Sequence, residues 1–441
     1  MKIAVIGSGI SGLTSAYLLS QQHDVVVYES SHRLGGHTAT MDVQYEGQSY
    51  AIDTGFIVFN DWTYPLFETL LAQLKVESQP TDMGFSVSCD ETGLEYSGDN
   101  INTLFAQRRN IVSPRHWLMI KDILRFNKQA PLDVSTGGVF DTMTLGEYLT
   151  EFRYSDVFID KYLVPMGSAI WSASTSVMRQ FPLQFFVKFF INHGLLSVNN
   201  RPQWRVVKGG SKSYIEPLMA SFKDNIRLST PITSITRHIS SEKDVKGQSS
   251  KEHGMKKSNS YVMINSERYG EEKYDQVVVA THSDQALVLL SDASDSEQRV
   301  LGDITYRNND VVLHTDDTLL PRNEKTWSSW NYRITENTKG RNDNPPMLTY
   351  NMNILQGITS PCTFCVTLNS TDQIDPEKII GRYQYSHPVF SLPAIAAQQR
   401  WQEINGVQNT WFCGAYWANG FHEDGVKSAV RIAEKFGISL S

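Results

Sequence analysis

Cysteine is scarce: four residues in 441, at positions 89, 362, 365 and 413. Four thiols cannot frame a chain of this size, so a disulfide-stapled secreted scaffold is excluded and a reducing compartment is expected. Net basicity is also missing. Forty Lys and Arg against 47 Asp and Glu leave a formal charge of −7. With no basic stripe to neutralise phosphates, nucleic acid is not an expected partner. No apolar run reaches the roughly 18 residues a membrane-spanning helix requires. The nearest, 181–198 (FPLQFFVKFFINHGLLSV), is broken by Pro182, Lys188, Asn192, His193 and Gly194. It reads either as a core helix with a Phe stripe or as a segment for peripheral membrane contact. The apolar run Ile3 to Ile6 leads straight into glycines of a motif, so no secretory leader is expected. The expected location is the cytoplasm, with the inner face of a membrane as the place for any peripheral contact.

What is present is ordinary globular composition, 40% hydrophobic and 20% charged, which excludes a disordered, collagenous or coiled-coil chain. At about 150 residues per domain, two or three domains are expected. The N-terminus is the most informative part. MKIAVIG reads as a strand buried on both faces of a parallel sheet. Gly7-Ser8-Gly9-Ile10-Ser11-Gly12 follows, then a helical pattern from Leu13 to Ser20, then a second buried strand, Asp24 to Tyr28, ending in Glu29. In this frame Gly7 permits a tight turn, Gly9 lets the backbone approach a pyrophosphate, and Gly12 lets the helix pack close to the strand. The helix N-terminus offers free N–H groups to the phosphates. Glu29 suits the two ribose hydroxyls of an adenosine. A bound dinucleotide is expected. The GxGxxG does not recur, so a second Rossmann unit for a nicotinamide cofactor is not expected.

Glu29-Ser30-Ser31-His32-Arg33-Leu34-Gly35-Gly36-His37 has the form E-x-x-x-R-x-G-G. This segment resembles the start of the flavin-containing amine oxidase superfamily, which includes protoporphyrinogen oxidases and phytoene desaturases. The resemblance implies FAD, held noncovalently; Cys413 and His37 are the side chains that would otherwise invite a covalent link. It implies cofactor contacts from Gly7, Ser8, Gly9, Ile10, Ser11 and Gly12, from Glu29 and Ser30, and from Arg33, Gly35, Gly36, His37 and Thr38. Further contacts are implied from Thr54, Gly55, Phe56 and Ile57, from Ile232, from Ala280 and Thr281, and from Gly414, Asp424, Gly425 and Val426. The closing strand, loop and helix (Asn409 to about Phe436) resemble the last FAD motif, with Cys413-Gly414-Ala415 standing where Ala-Gly-acid is usual. The wording GAYWANGFHEDG resembles a narrower bacterial branch that accompanies, or is fused to, cyclopropane-fatty-acid synthases. RPQWRVVKGGS, MLTYNMNILQ and NHGLL fit the same branch.

The implied fold is α/β: a Rossmann-like FAD-binding domain with an inserted α+β substrate domain. The FAD domain is expected over 1–65, 205–290 and 400–441, and the substrate domain over 66–204 and 291–399. Helices are expected at Tyr64 to Leu74, His116 to Gln129 and Asp156 to Pro165. Strands are expected at Asp310 to His314, Met347 to Met352 and Thr363 to Leu368. Ser240 to Ser260, almost free of apolar residues, reads as a solvated hairpin tip. Cys362 and Cys365 form a C-x-x-C inside a strand-like alternation, where neither redox nor zinc chemistry is expected. No metal is expected at His422-Glu423-Asp424, because consecutive ligands do not converge.

His422 is the candidate acid–base or orienting residue, with Tyr416 as a second candidate. The expected reaction moves a hydride from an apolar, lipid or fatty-acyl carbon to flavin N5, with reoxidation by oxygen, a quinone or another acceptor. An amine oxidase is the alternative, with Tyr416, Trp417 and Phe421 available as an aromatic cage. A non-redox protein holding a lipid or prenyl group on the same fold is the other.

Overall fold

In a computed structural model of the chain, the described residues are 1–197, 200–239, 260–335 and 345–440. Five short strands form a parallel sheet in the order β3-β2-β1-β4-β5: β1 (Lys2–Ile6), β2 (Asp24–Tyr28), β3 (Ile226–Arg227), β4 (Gln276–Val279) and β5 (Thr410–Phe412). Side chains of a strand alternate between faces, and β1 uses both. Ile3 and Val5 enter one core with Leu13, Ala16, Val426 and Ala429. Ala4 and Ile6 enter another with Ile235, Val262 and Ile264. The near-continuous apolar run follows from that double burial. β2 lies on one side of β1 and β4 on the other, so the strand order reverses at the end of β1. Ligands of open α/β sheets bind at such a point.

Helix α1 (Ile10–Leu19) starts three residues earlier than the apolar pattern suggests, inside the glycine motif itself. It packs against the closing helix, α4 (His422–Ala433). The second face of the parallel sheet is covered by the antiparallel strands Ile232–His238, Tyr261–Ser266 and Gly270–Tyr274. Their first hairpin is paired up to His238 and Tyr261; the tip expected over 240–260 lies, but for Ser260, outside the described residues.

A buried ion pair fastens this sheet to the helix Asp295–Gly302. Arg237 donates from Nη1 and Nη2 to the two oxygens of Glu297 at 2.7 and 2.9 Å, with both side chains at most 3% exposed. Asp292 also reaches Arg237, its Oδ1 2.6 Å from Nε, so without Glu297 the guanidinium keeps one carboxylate. Glu297→Ala is therefore expected to cost about 1–3 kcal/mol in urea unfolding, the worth of the lost charge-assisted hydrogen bonds. Arg237→Met with Glu297→Leu should restore much of that loss; a double variant as unstable as the sum of the single ones would show that the two charges do not support each other.

A second, seven-stranded sheet runs in the order 379–388, 306–314, 365–368, 347–351, 330–334, 85–89, 94–97. Its neighbours are antiparallel except Trp330–Ile334, which runs parallel to Phe85–Cys89. Cys365 opens one of these strands and is buried, while Cys362 precedes it. The helices beside this sheet differ from the expected spans. α2 (Pro114–Thr136) runs on through Pro131 because Ala130 and Val134 are buried in the aromatic core, which offsets the hydrogen bond that proline removes. The expected helix at 156–165 is broken: a π-helical turn at Ile159–Leu163 separates Asp156–Phe158 from Val164–Trp171.

α3 (Leu183–Asn192) lies within 181–198. Leu183, Phe186, Val187 and Phe190 are fully buried against Trp171 and Phe126, so this Phe stripe is core. Val198 lies outside the described residues. No helix among the described residues is long and apolar enough to cross a membrane.

Candidate active site

A cavity of about 920 Å³ opens at the end of β1 and continues under the seven-stranded sheet. Its first part is backbone-rich. Gly7, Ser8, Gly9, Ile10 and Ser11 line it together with Glu29, Ser30, Gly35 and Gly36. Gly7 sits at φ +101°, and a Cβ there would lie 2.7 Å from the Ala280 carbonyl oxygen. Gly9 is the N-cap of α1 and offers no side-chain cap, so the first N–H groups of the helix face the cavity. Glu29 accepts from the Ser8 backbone N–H at 2.9 Å and from the Ser31 N–H at 2.7 Å, which holds its carboxylate on the wall. Glycine backbone, helix N-terminus and acid together form a cradle whose donors and shape fit the pyrophosphate and ribose of a dinucleotide.

The middle of the cavity is lined by His37, by Thr54 to Ile57, by Ala280 and Thr281, and by Gly414, Tyr416, Phe421 and His422 at the start of α4. Three more histidine and tyrosine side chains join them: His282, which follows Ala280 and Thr281, and Tyr385 and His387, neither of which carried a motif in the sequence. The His37 ring lies 5.5 Å from His387, 6.1 Å from His282 and 5.0 Å from Tyr385, centroid to centroid. Burial pushes the His387 imidazole down to about 4 and His37 well below its ordinary value, so both are neutral at physiological pH. A chain of amides fixes the His387 tautomer. The Asp310 N–H donates to Asn369 Oδ1, Asn369 Nδ2 to Asn309 Oδ1, and Asn309 Nδ2 to His387 Nδ1. Nδ1 is therefore an acceptor, and Nε2 carries the proton.

Several sequence-assigned residues lie behind the wall. Gly12 faces the sheet: a Cβ there would lie 2.0 Å from the Gly7 carbonyl oxygen. Arg33 is the clearest correction. Its guanidinium donates to the carbonyls of Leu34, Gly36 and Thr38, bracing the Gly35–Gly36 turn instead of facing the cavity. Thr38 bonds Tyr214 and His422. Ile232 belongs to the core beneath the three-stranded sheet. Asp424 turns back to accept the N–H groups of Asn419 and Phe421 at 3.1 and 2.9 Å, capping its own helix. Gly425 lets α4 approach Ile10 and Ser11 of α1, and Val426 is core. Trp417 points away, with its Nε1 donating to the Phe412 carbonyl. Cys413 is buried beside Ser15, so it does not reach the cavity to form a covalent link.

The two acid–base candidates also change. His422 stacks flat on Phe56 at 3.5 Å, and its Nε2 sits between Tyr214 (2.9 Å) and Thr38 (3.1 Å). Burial depresses its imidazole to about 3. It is a fixed neutral strut. Tyr416 reaches the wall, but among the described residues its buried hydroxyl has no hydrogen-bond partner of good geometry, and burial holds the phenol far from ionisation. Among the described residues no cluster of three or more His, Cys, Asp or Glu is arranged for a metal ion.

The far part of the cavity is largely apolar. Tyr162, Trp171, Phe189, Trp330 and Phe390 line it, and Ile101, Leu104, Ile120, Ile123 and Leu124 line it beside the polar Asp99, Asn100 and Asn127. The charged side chains on the lining are Glu29, at the glycine turn, and Asp82, Asp99 and Arg201.

The family model of flavin-containing amine oxidoreductases matches residues 10–353. Among solved structures, a CLA-producing fatty acid isomerase from P. acnes is similar at 16% identity and a TM-score of 0.66, over 98% of both chains. A putative protoporphyrinogen oxidase from Exiguobacterium sp. 255-15 matches at 16% identity and 0.66, over 99% of this chain and 98% of that one. Cyclohexylamine oxidase from Brevibacterium oxydans matches at 15% and 0.63, over 99% of both. At these identities the likeness is one of fold. No curated protein matches the chain in sequence.

Proposed function

The chain belongs to the family of flavin-containing amine oxidoreductases, and from that membership we propose that it oxidises an apolar lipid or fatty-acyl substrate. It is an FAD-dependent oxidoreductase. Bound FAD would supply the electron sink, taking a hydride at N5 and passing electrons to an acceptor. The chain supplies the rest. In this reading the cofactor domain comprises 1–65, 205–290 and 400–441, which hold all five strands of the parallel sheet. The substrate domain comprises 66–204 and 291–399, which hold all seven strands of the second sheet. The backbone at Gly7 to Ser11 and Glu29 would hold the dinucleotide, and Arg33 would keep the Gly35–Gly36 turn in shape. The N-terminus of α4, at Phe421 and His422, would place a positive dipole end where negative charge develops.

The observation that carries the substrate class is the far chamber. Its walls are largely aromatic and aliphatic, with Asp99, Asn100 and Asn127 among the aliphatic side chains further along. An acyl chain fits that lining and excludes water by filling it. His387, neutral and with its proton on Nε2, is placed to orient a substrate oxygen by hydrogen bonding. A fatty acid isomerase among the structural neighbours supports this class. The amine reading is favoured by the family's description and by cyclohexylamine oxidase, also a neighbour; here Tyr416 and Phe421, though not Trp417, could flank an amine.

Anaerobic absorbance spectroscopy of the flavin-loaded protein separates the two. Bleaching of the flavin bands by long-chain fatty acids or bacterial lipid, and none by a panel of monoamines and diamines, is the expected result. Bleaching by amines alone would replace the lipid reading with the amine one.

A further inference from the structure

The outward face of α2, with the turns before and after it, combines two surface chemistries. Ile101, Val112, Trp117, Leu124, Leu132 and Val139 are between 50% and 81% exposed. With Ile111 and Leu118 they make eight of the 17 exposed large hydrophobics among the described residues, within positions 101–139. Singly scattered apolar residues are normal, but a concentration of this kind marks a contact surface. Arg108, Arg109, Arg115, Lys121 and Lys128 are exposed in the same stretch.

The helix sorts these residues by face. Trp117, Lys121, Leu124, Lys128 and Leu132 follow steps of three and four and share the outer side. His116, Met119, Asp122, Phe126, Ala130 and Val134 are buried on the other. Both carboxylates of α2 are engaged with groups of the protein. Asp122 accepts from the Ser155 N–H at 3.0 Å and Asp133 from the Tyr148 hydroxyl at 2.7 Å. The outer face is therefore apolar and cationic, on a chain whose net charge is −7.

We propose that this face docks on an anionic phospholipid bilayer. Lysines alternate with the apolar side chains instead of ringing them. That pattern suits a membrane interface, where phosphates and acyl chains meet within one side-chain length. It does not suit a protein interface, whose core excludes charge. The docked apolar side chains reach the acyl boundary while the basic groups hold the lipid phosphates. Ile101 and Leu124 also line the cavity, so the cavity meets the same face. Docking itself stands on this surface alone. A further step, that an acyl substrate passes from bilayer to cavity without crossing water, rests on the lipid reading above.

The test is co-sedimentation of the full-length, flavin-loaded protein with phosphatidylcholine vesicles, with and without phosphatidylglycerol. Binding to the phosphatidylglycerol vesicles that weakens with added salt is expected. The double variant Lys121→Glu/Lys128→Glu should weaken partitioning about 30-fold or more, and Leu132→Ser about fivefold. These positions are exposed, so unchanged melting temperatures serve as the folding control. Absent sedimentation with phosphatidylglycerol vesicles overturns the proposal, as does equal sedimentation of wild type and double variant. A stable dimer in solution that dissociates on the same lysine substitutions would assign the face to a second copy of the chain and likewise overturn it. Vesicle binding without flavin bleaching by acyl substrates would leave docking standing and remove the lipid reading; bleaching without vesicle binding would do the reverse.

Discussion

Gly9→Trp is expected to yield a folded but colourless protein, and Gly12→Ala one that loses its flavin together with much of its stability. The two glycines belong to one motif and face opposite ways. Gly9 has φ −66° and ψ 177°, a conformation any residue adopts, and a Cβ built on it meets no atom within 4 Å. An indole there enters the cavity in front of the α1 N-terminus, where the pyrophosphate would sit, and disturbs nothing behind it. Gly12 is the opposite case. Its added methyl would stand 2.0 Å from the Gly7 carbonyl oxygen and 3.2 Å from Ala280 Cβ. Gly7 is itself held in place, its N–H donating to the Tyr28 carbonyl at 2.8 Å. α1 must shift off the sheet, at about 3 kcal/mol or more. Flavin per chain and the urea midpoint of each flavin-free protein separate the two effects. Normal flavin content in Gly9→Trp would mean that the dinucleotide does not lie across the turn.

The contrast shows which parts of the molecule a sequence makes legible. The strand, glycine turn, helix and acid of the first 29 residues are contiguous, and each is dictated by local geometry, so the parallel sheet and its ligand edge can be read directly. The inward face of a residue within a motif is harder. Arg33 was assigned to the cofactor by its neighbours, yet three backbone carbonyls within five residues claim its guanidinium. His422 resembled a catalytic group because it opens the last helix; Phe56, Thr38 and Tyr214, from two distant segments, turn it into a strut. The group of His37, His282 and His387 comes from three segments with no common spacing, and only the pairing of Arg307 with His387 across two strands brings the last of them inward. Net charge hid the basic face of α2, because acids elsewhere outweigh it. The Phe stripe of α3 reads first as core and second as a membrane contact, and Trp171 and Phe126, outside the stripe, pack against it in the core.

Between pH 6.5 and 4 the stability of the flavin-free protein is expected to rest on two opposing sets of buried groups that nearly cancel in the wild type and are unmasked by single substitutions. Burial pushes the imidazoles of His193, His314 and His387 down to about 4 and that of His422 to about 3. In the unfolded chain each binds a proton near its ordinary value of 6.5. Over this window the unfolded state therefore takes up more protons than the native one. The stability these groups contribute is fully present above pH 6.5 and is lost as pH falls through the native values. A shift of this size corresponds to about 3 kcal/mol per histidine, reduced to about half that where water in the cavity reaches His193, His387 and His422. Two buried acids act in the other sense. Burial raises Asp53 to about 6, although Thr40 and Ser211 donate to its carboxylate, and raises Asp424 to about 7. Their native forms take protons first, so they add stability as pH falls from about 7 to the ordinary carboxylate range. At about 3 kcal/mol for His314 and about half that for each of the other three, the histidines lose about 7–8 kcal/mol on acidification, while Asp53 and Asp424 return about 7 kcal/mol, so the two sets nearly cancel in the wild type. Asp424→Asn keeps an acceptor for the Asn419 and Phe421 N–H groups but no longer titrates, so its acid loss should be steeper than that of the wild type. His314→Gln removes one depressed imidazole and should make the loss shallower. Urea midpoints measured between pH 4.5 and 7.5 decide the matter: acid profiles that coincide for the wild type, Asp424→Asn and His314→Gln would mean that these groups titrate alike in the folded and unfolded chain.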